Sequence, residues 1–237
     1  MQHYFGEISE GLASLSESDR HHLLHVKRAE KGERVEISTC DGRLFSCIIK
    51  NLDPLEIEVD CEVEDSREGR LKVFLGFSLL KADHNELIIQ KCTELGVAAF
   101  FPFLSERTVV KPDGKEDKRL LRLRKIAEES AKQCRRNIIP EVHGYSSFKE
   151  VLGIEADVRY LPYEGLLGSS DTLWNEIHLL DKEGSVLFLI GPEGGFSDKE
   201  VALAKEKGFR FVSLGRRMLR AETAAIYCAS LMAGRSD

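Results

Sequence analysis

Residues 187–208 read LFLIGPEGGFSDKEVALAKEKG: an apolar run passes directly into Gly191-Pro192-Glu193-Gly194-Gly195 and then into an amphipathic segment. Glycine permits positive φ and lets a ligand approach bare backbone. A helix starting near Ser197 would add unpaired N–H groups. A phosphate is the first ligand such a turn suggests. The sequence fails that test, because GxxxxGK[ST] and GxGxxG are both absent and Glu193 would repel a polyphosphate. A backbone cradle with a carboxylate and no lysine better suits a ligand that is neutral in its rings and cationic elsewhere. S-adenosylmethionine, an adenosine carrying a sulfonium, is one such ligand. A turn that merely fits a helix to a strand is the plainer alternative. Two further unusual turns stand against it, LPYEGLLGS at 161–169 and LGRRMLRAET at 214–223.

The elements that must position these turns follow from periodicity. From Leu71 onward, strand-like runs (LKVFLGFS, VAAFFPF, DVRYLP, SVLFLI, FRFVSL) alternate with predicted helices at 83–95, 117–138, 171–180, 197–207 and 221–233. That alternation predicts an α/β fold with a mostly parallel sheet. In such a sheet the turns after the strands collect along one edge, where ligands bind. Asp83 with Glu86 and Ser197 with Glu200 have capping-box spacing, and Gly96 and Gly208 mark helix stops. Before residue 70 the pattern is different. Short runs (YFGEI, ERVEIS, RLFSCIIK, LEIEVDCEVE) and a helical piece near 19–26 predict a small β-barrel, linked onward by EDSREGR at 64–70.

Composition narrows the class. With 237 residues, 42% of them hydrophobic, the chain can bury a sizeable core. Its six cysteines form no CxxC pair and are expected to be reduced core thiols. His21, His22 and His25 include an i, i+4 pair, but without a third ligand nearby a polar helix face is the favoured reading and no metal is expected. No apolar run approaches the length of a membrane span and no leader pattern is present, so a cytoplasmic protein with no membrane partner is expected. The net charge of −6 is unevenly spread: residues 1–70 hold 9 Lys/Arg against 16 Asp/Glu, and residues 104–136 hold 11 against 6. A basic surface is therefore expected within an acidic chain.

LIGPEGGFSDKE, followed by LGRRMLRAETAA and preceded by KCTELGV (91–97) and AEESAKQCRR (127–136), resembles the RsmE family of 16S ribosomal RNA uridine-N3 methyltransferases, of the SPOUT class. The match spans nearly the whole chain. It is loosest at the front, where HHLLHVKR has Lys27 in place of the family's leucine. The resemblance implies a PUA-like RNA-binding barrel (1–70), then a SPOUT methyltransferase domain (71–237) with a trefoil knot, S-adenosylmethionine as cofactor, and a homodimer through the SPOUT domain. It implies 16S rRNA, in the small ribosomal subunit, as partner. Carried over by similarity, cofactor binding falls to Leu161, Gly191, Pro192, Glu193, Gly194, Gly195, Leu214, Gly215, Met218 and Leu219. These supply apolar walls for a purine and free backbone to read its edge, and the glycines at 191, 194 and 195 are expected to resist replacement.

Methyl transfer to uridine N3 requires loss of its proton, and negative charge then spreads onto O2 and O4. A cation beside them stabilises the anion and the transition state. Arg220 is the candidate, with Glu222 as base or orienter, although an Arg-x-Glu pair at a helix start can equally be a cap. Arg216 and Arg217 are phosphate contacts or solvated. On helix 117–138, Leu120, Leu123, Ala127, Ala131, Cys134 and Ile138 form one stripe, and Lys118, Arg122, Lys125, Lys132 and Arg136 the opposite one. With Arg107, Lys111 and Lys115 from the adjoining loop, they make the expected RNA-binding surface, although a solvated face gives the same pattern. The final helix, AETAAIYCASLMAG, is apolar all round. It is expected to be buried against a second copy, with Ala224, Ala225, Ala229 and Ser230 permitting close approach. The competing readings are a SPOUT ribose 2′-O-methyltransferase, a non-catalytic RNA-binding assembly factor, and a nucleotide hydrolase, which the missing phosphate-loop lysine disfavours.

Overall fold

The computed structural model describes residues 1–65, 67–81, 83–110, 114–178 and 180–236, which divide into two compact units. The first comprises residues 1–68 together with 131–139. Its strands β1 (Gln2–Ser9), β2 (Leu12–Leu15), β3 (Arg34–Ser38), β4 (Leu44–Leu52) and β5 (Leu55–Val63) close a barrel in the order β1-β2-β5-β4-β3. Closure is made by the parallel pair β1 and β3, and every other pair is antiparallel. Alternate residues point inward, so Tyr4, Val35, Ile37, Cys47, Ile49 and Ile57 fill the interior with Leu23. Leu23 comes from the π-turn that continues α1 (Glu17–His21), whose start is capped by the Ser16 hydroxyl accepting from the Asp19 amide. His21 and His25 face each other at 4.8 Å, and His22 bonds the Tyr4 hydroxyl through Nδ1.

Residues 131–139, which the linear pattern places in the second half, belong to this unit through buried charge. Lys132 Nζ donates to Asp19 at 2.8 Å, and the Arg136 guanidinium grips Glu68 at 2.6 Å. Glu68 also accepts from the amides of Asn137 and Ile138. The Asn137 side chain donates to the carbonyls of Gly42 and Asp65.

The second unit is a seven-stranded parallel sheet. Strands β6 (Leu71–Ser78), β7 (Val97–Leu104), β8 (Glu141–Val142), β9 (Ser146–Ser147), β10 (Val158–Pro162), β11 (Gly184–Ile190) and β12 (Arg210–Val212) take the order β12-β10-β11-β6-β7-β8, with β9 also on β7. The helices are α2 (His84–Glu94), α3 (Glu116–Cys134), α4 (Phe148–Val151), α5 (Leu173–Ile177), α6 (Asp198–Glu206) and α7 (Ala221–Ser236). The continuous apolar run of β11 reflects burial on both faces. Val186, Phe188 and Ile190 enter one core, and Leu187 and Leu189 the other. The first core takes α2, α5, α7 and Leu123 and Ala127 of α3; the second takes α4 and Ala204 of α6.

Several local expectations are corrected. The basic helix stops at Cys134, where Arg135 adopts φ 61°, so Ile138 lies beyond it and is exposed. Ser197 and Glu200 form the capping box, but Asp83 makes no side-chain cap; the Glu86 carboxylate accepts from Arg122 instead. Cys47, Cys92 and Cys228 are buried, and burial pushes the Cys47 thiol up to about 11, whereas Cys40 and Cys61 are exposed rather than core thiols. On α7, Ala224, Ala225 and Ala229 are buried in the chain's own core, and of the four small residues only Ser230 is exposed.

Candidate active site

Strands β12, β10 and β11 are neighbours and parallel, so the turns that leave their C-terminal ends converge. Between these turns lies a cavity of about 600 Å³, well sized for a small organic ligand. Pro162, Tyr163, Glu164 and Leu167 line it from the first turn, Ile190 to Phe196 from the second, and Ser213 to Ala224 in large part from the third. Backbone bonds stitch the first turn to the third: the Gly168 amide donates to the Gly215 carbonyl, Leu173 to Ser213, and Ser213 to Asp171.

The second turn is tight for a physical reason. The Gly195 amide closes it on the Pro192 carbonyl at 2.9 Å with Gly195 at φ 68°, a conformation disfavoured for a residue with a Cβ. A Cβ on Gly195 would also collide with the Glu164 carboxylate. At Gly191 it would press to 3.0 Å from the Phe196 ring. Gly194 is different: a Cβ there meets Arg107 at 3.4 Å, an ordinary contact, so the protein's own packing does not by itself require glycine at this position. Gly215 in the third turn also needs its glycine, at φ 115°. The Glu193 carboxylate is tethered by the Lys81 amide at 3.2 Å.

Of the residues expected to bind a cofactor, Gly191, Pro192, Glu193, Gly194, Gly195, Leu214, Gly215, Met218 and Leu219 line the cavity. Leu161 does not. The alternation of β10 sends Tyr160 into one core and Leu161, fully buried, into the other, so the lining begins at Pro162. Arg220 and Glu222 also line the cavity. Arg220 is exposed, while Glu222 on the first turn of α7 is buried and meets Nδ1 of His84 at 3.3 Å.

The sequence reading missed His84, the first residue of α2. β6 pairs with β11, so the loop after β6 reaches the same edge, but that adjacency is set by the strand order of the sheet and is not written in any sequence pattern. It also missed the second duty of Glu200. This buried carboxylate accepts from the Ser197 amide within the capping box, and from the Ser105 hydroxyl and Glu106 amide of the loop after β7. Arg107 from that loop donates to the Gly194 carbonyl at 3.2 Å.

The expected RNA surface splits. Lys118, Arg122 and Lys125 are exposed on α3, with Arg122 paired to Glu86. Lys132 and Arg136 are corrected: they are buried in ion pairs with Asp19 and Glu68 and present no free face. Lys111 lies outside the described residues. Among the described residues, no group of three or more His, Cys, Asp or Glu side chains is arranged to hold a metal ion, and no helix is long and apolar enough to cross a membrane.

The cavity's chemistry fits an adenosyl sulfonium: apolar walls at Leu214, Leu219 and Phe196, glycine backbone, carboxylates at Glu164, Glu193 and Glu222, and no lysine among the described residues. Comparison with known proteins agrees. Residues 67–233 match the model of the RNA methyltransferase domain, and residues 15–62 that of the RNA methyltransferase PUA domain. The chain is 33% identical over 252 residues to a ribosomal RNA small subunit methyltransferase E of Bacillus subtilis (strain 168), covering 100% of this chain and 98% of that relative. A putative methyltransferase from Legionella pneumophila, solved in complex with the cofactor SAM, superposes with a TM-score of 0.85 at 30% identity, over 98% of this chain and 96% of that one. A ribosomal RNA small subunit methyltransferase E from Neisseria gonorrhoeae, bound to S-adenosyl methionine, gives the same TM-score at 27% identity and the same coverage. With a family model over most of its length and a full-length relative above 30% identity, the chain belongs to the ribosomal RNA small subunit methyltransferase E family.

Proposed function

We propose that this chain is an S-adenosylmethionine-dependent methyltransferase acting on N3 of a uridine in 16S rRNA of the small ribosomal subunit. The observation that carries the reading is the convergence of three glycine-bearing turns, Arg220 and Glu222 on one cavity. When bound, S-adenosylmethionine supplies an electrophilic methyl group on a sulfonium. The turn at 191–196 and the walls at Leu214 and Leu219 hold its adenosine. Arg220, exposed at the cavity and without an ion-pair partner among the described residues, places positive charge where O2 and O4 of the uridine become negative. Glu222, largely shielded from solvent, takes the N3 proton, and the freed lone pair attacks the methyl group. Lys118, Arg122, Lys125 and Arg107 hold phosphates.

The trefoil knot that the family resemblance implies is part of this reading. The outward side of α7, with Thr223, Ser230 and Gly234 exposed beside half-buried Ile226, Tyr227 and Leu231, supports a homodimer through this helix. A cytoplasmic location follows from an rRNA substrate. Tritium transfer from labelled S-adenosylmethionine to small subunits, with nucleoside analysis, tests the activity. The label is expected in 3-methyluridine, and label in 2′-O-methyl nucleosides would overturn the assignment. Arg220→Ala should abolish transfer while sparing cofactor binding, and unchanged turnover would remove Arg220 from the mechanism.

A further inference from the structure

A base shielded from solvent that accepts a proton at every turnover must also lose it. Glu222 retains 11% side-chain exposure and sits against the first core, where its neighbours Ala221, Ala224 and Ala225 are all buried. Among the described residues its one ion-pair contact is Nδ1 of His84 at 3.3 Å. His84 lines the same cavity, retains 38% side-chain exposure, and so touches both the carboxylate and water. Imidazole exchanges protons near neutral pH and carries a nitrogen on each side of its ring, which suits it to hand a proton from one environment to another.

We propose that His84 carries the substrate's N3 proton from Glu222 out to solvent; the role rests on the reading of Glu222 as the base in methyl transfer. The N3–H bond breaks with its electron pair left on nitrogen, and the proton passes to a Glu222 oxygen. It moves from there to Nδ1 of His84, and the imidazolium releases a proton to water. Glu222 is thereby returned to the carboxylate, and the pair to its starting charge. The other charged groups lining the cavity around this pair are Arg217 and Arg220 from the third turn, Glu193 from the second and Glu164 from the first. On its own helix His84 is flanked by Asp83 at the start and by Glu86, which is engaged by Arg122. His84 is thus a positioning and relay residue that acts through Glu222.

The test compares the full-length wild type with His84→Gln, which keeps a polar contact to Glu222 but cannot relay, and with His84→Ala. Single-turnover methyl transfer to small subunits is followed from pH 6 to 9, with the S-adenosylmethionine dissociation constant measured in parallel. In the relay, His84→Gln is slower by about tenfold at neutral pH and loses the histidine step of the wild-type profile. Its cofactor affinity stays within about twofold of wild type, and added imidazole restores transfer in His84→Ala. A reading independent of turnover is the NMR titration of the His84 ring, which shifts in Glu222→Gln. An unaltered pH profile in His84→Gln, a loss found wholly in cofactor affinity, or an imidazole ring indifferent to Glu222→Gln would overturn the relay. A wild-type enzyme that transfers no methyl group to uridine N3 would instead overturn the function itself, and the relay with it.

Discussion

The start of α3 and the segment around its end carry the same kind of side chain and put it to opposite uses. Lys118, Arg122 and Lys125 are exposed, and the ion pair that Arg122 makes with Glu86 leaves its side chain 66% exposed. Further along, Lys132 is closed over by Asp19, and Arg136 is 6% exposed against Glu68. In the sequence one helical period places all five on a common stripe, but α3 ends at Cys134 and Arg136 lies beyond it. A helical wheel gives the phase of a side chain but not what lies over it, and here the cover comes from positions 19 and 68, far away in sequence. A cation meant for RNA must have no carboxylate of its own chain wrapped around it.

Mutation should separate the two ends sharply. Arg136→Ala leaves the Glu68 carboxylate without its charge partner and should lower unfolding stability by about 3–5 kcal/mol in urea denaturation. Lys132→Ala, which removes a single ammonium from Asp19, should fall at about 3 kcal/mol, the lower end of that range. Losses below about 1 kcal/mol for both would erase the contrast.

The barrel that receives the buried end should also make stability pH-dependent. Burial lowers His3 to about 4 from its ordinary 6.5. Between those values the unfolded chain binds a proton that the folded chain does not, so stability falls as pH drops through this window. Glu36 adds to the fall at lower pH. The Arg67 hydrogen bond holds its carboxyl below 4.5, so its contribution is present above that value and is lost as pH falls through the folded one. Denaturation midpoints from pH 7 to 4 check this, and His3→Gln should flatten the upper part of the curve. A slope unchanged by that substitution would locate the pH dependence elsewhere.

The exposed end should behave in the opposite way. Lys118, Arg122 and Lys125 replaced together by Ala should leave stability within about 1 kcal/mol of wild type. The same variant should weaken 16S rRNA binding and reduce the dependence of log affinity on log salt by about 2. An unchanged salt slope in filter binding would show that this face does not meet phosphates.

Much of the second unit was legible because its strands are buried on both faces and read as apolar runs, while its helices keep their period and caps. The strand β2 was not, since four residues with alternate exposure give too short a pattern. The helix α4 carried its capping box at Ser147 and Glu150 in plain view, but one turn is too brief to show a period. At the site, the glycine turns were readable because their backbone demands leave a mark on residue type. Leu161 was misplaced because strand alternation, rather than sequence neighbourhood, decides where a side chain goes. His84 left no mark, since a histidine at a helix start has no pattern of its own. The burial of Lys132 and Arg136 depended on contacts that only the folded barrel creates.

The place of β11 bears on how the chain is made. It hydrogen-bonds β6 on one side and β10 on the other, yet it is synthesised after both. A nascent chain that stops short of residue 184 therefore holds two unfinished sheet edges with no strand between them, and such edges invite pairing with other chains. Only a late insertion heals the gap, so the growing polypeptide passes through its most aggregation-prone stage just before the glycine turn emerges from the ribosome.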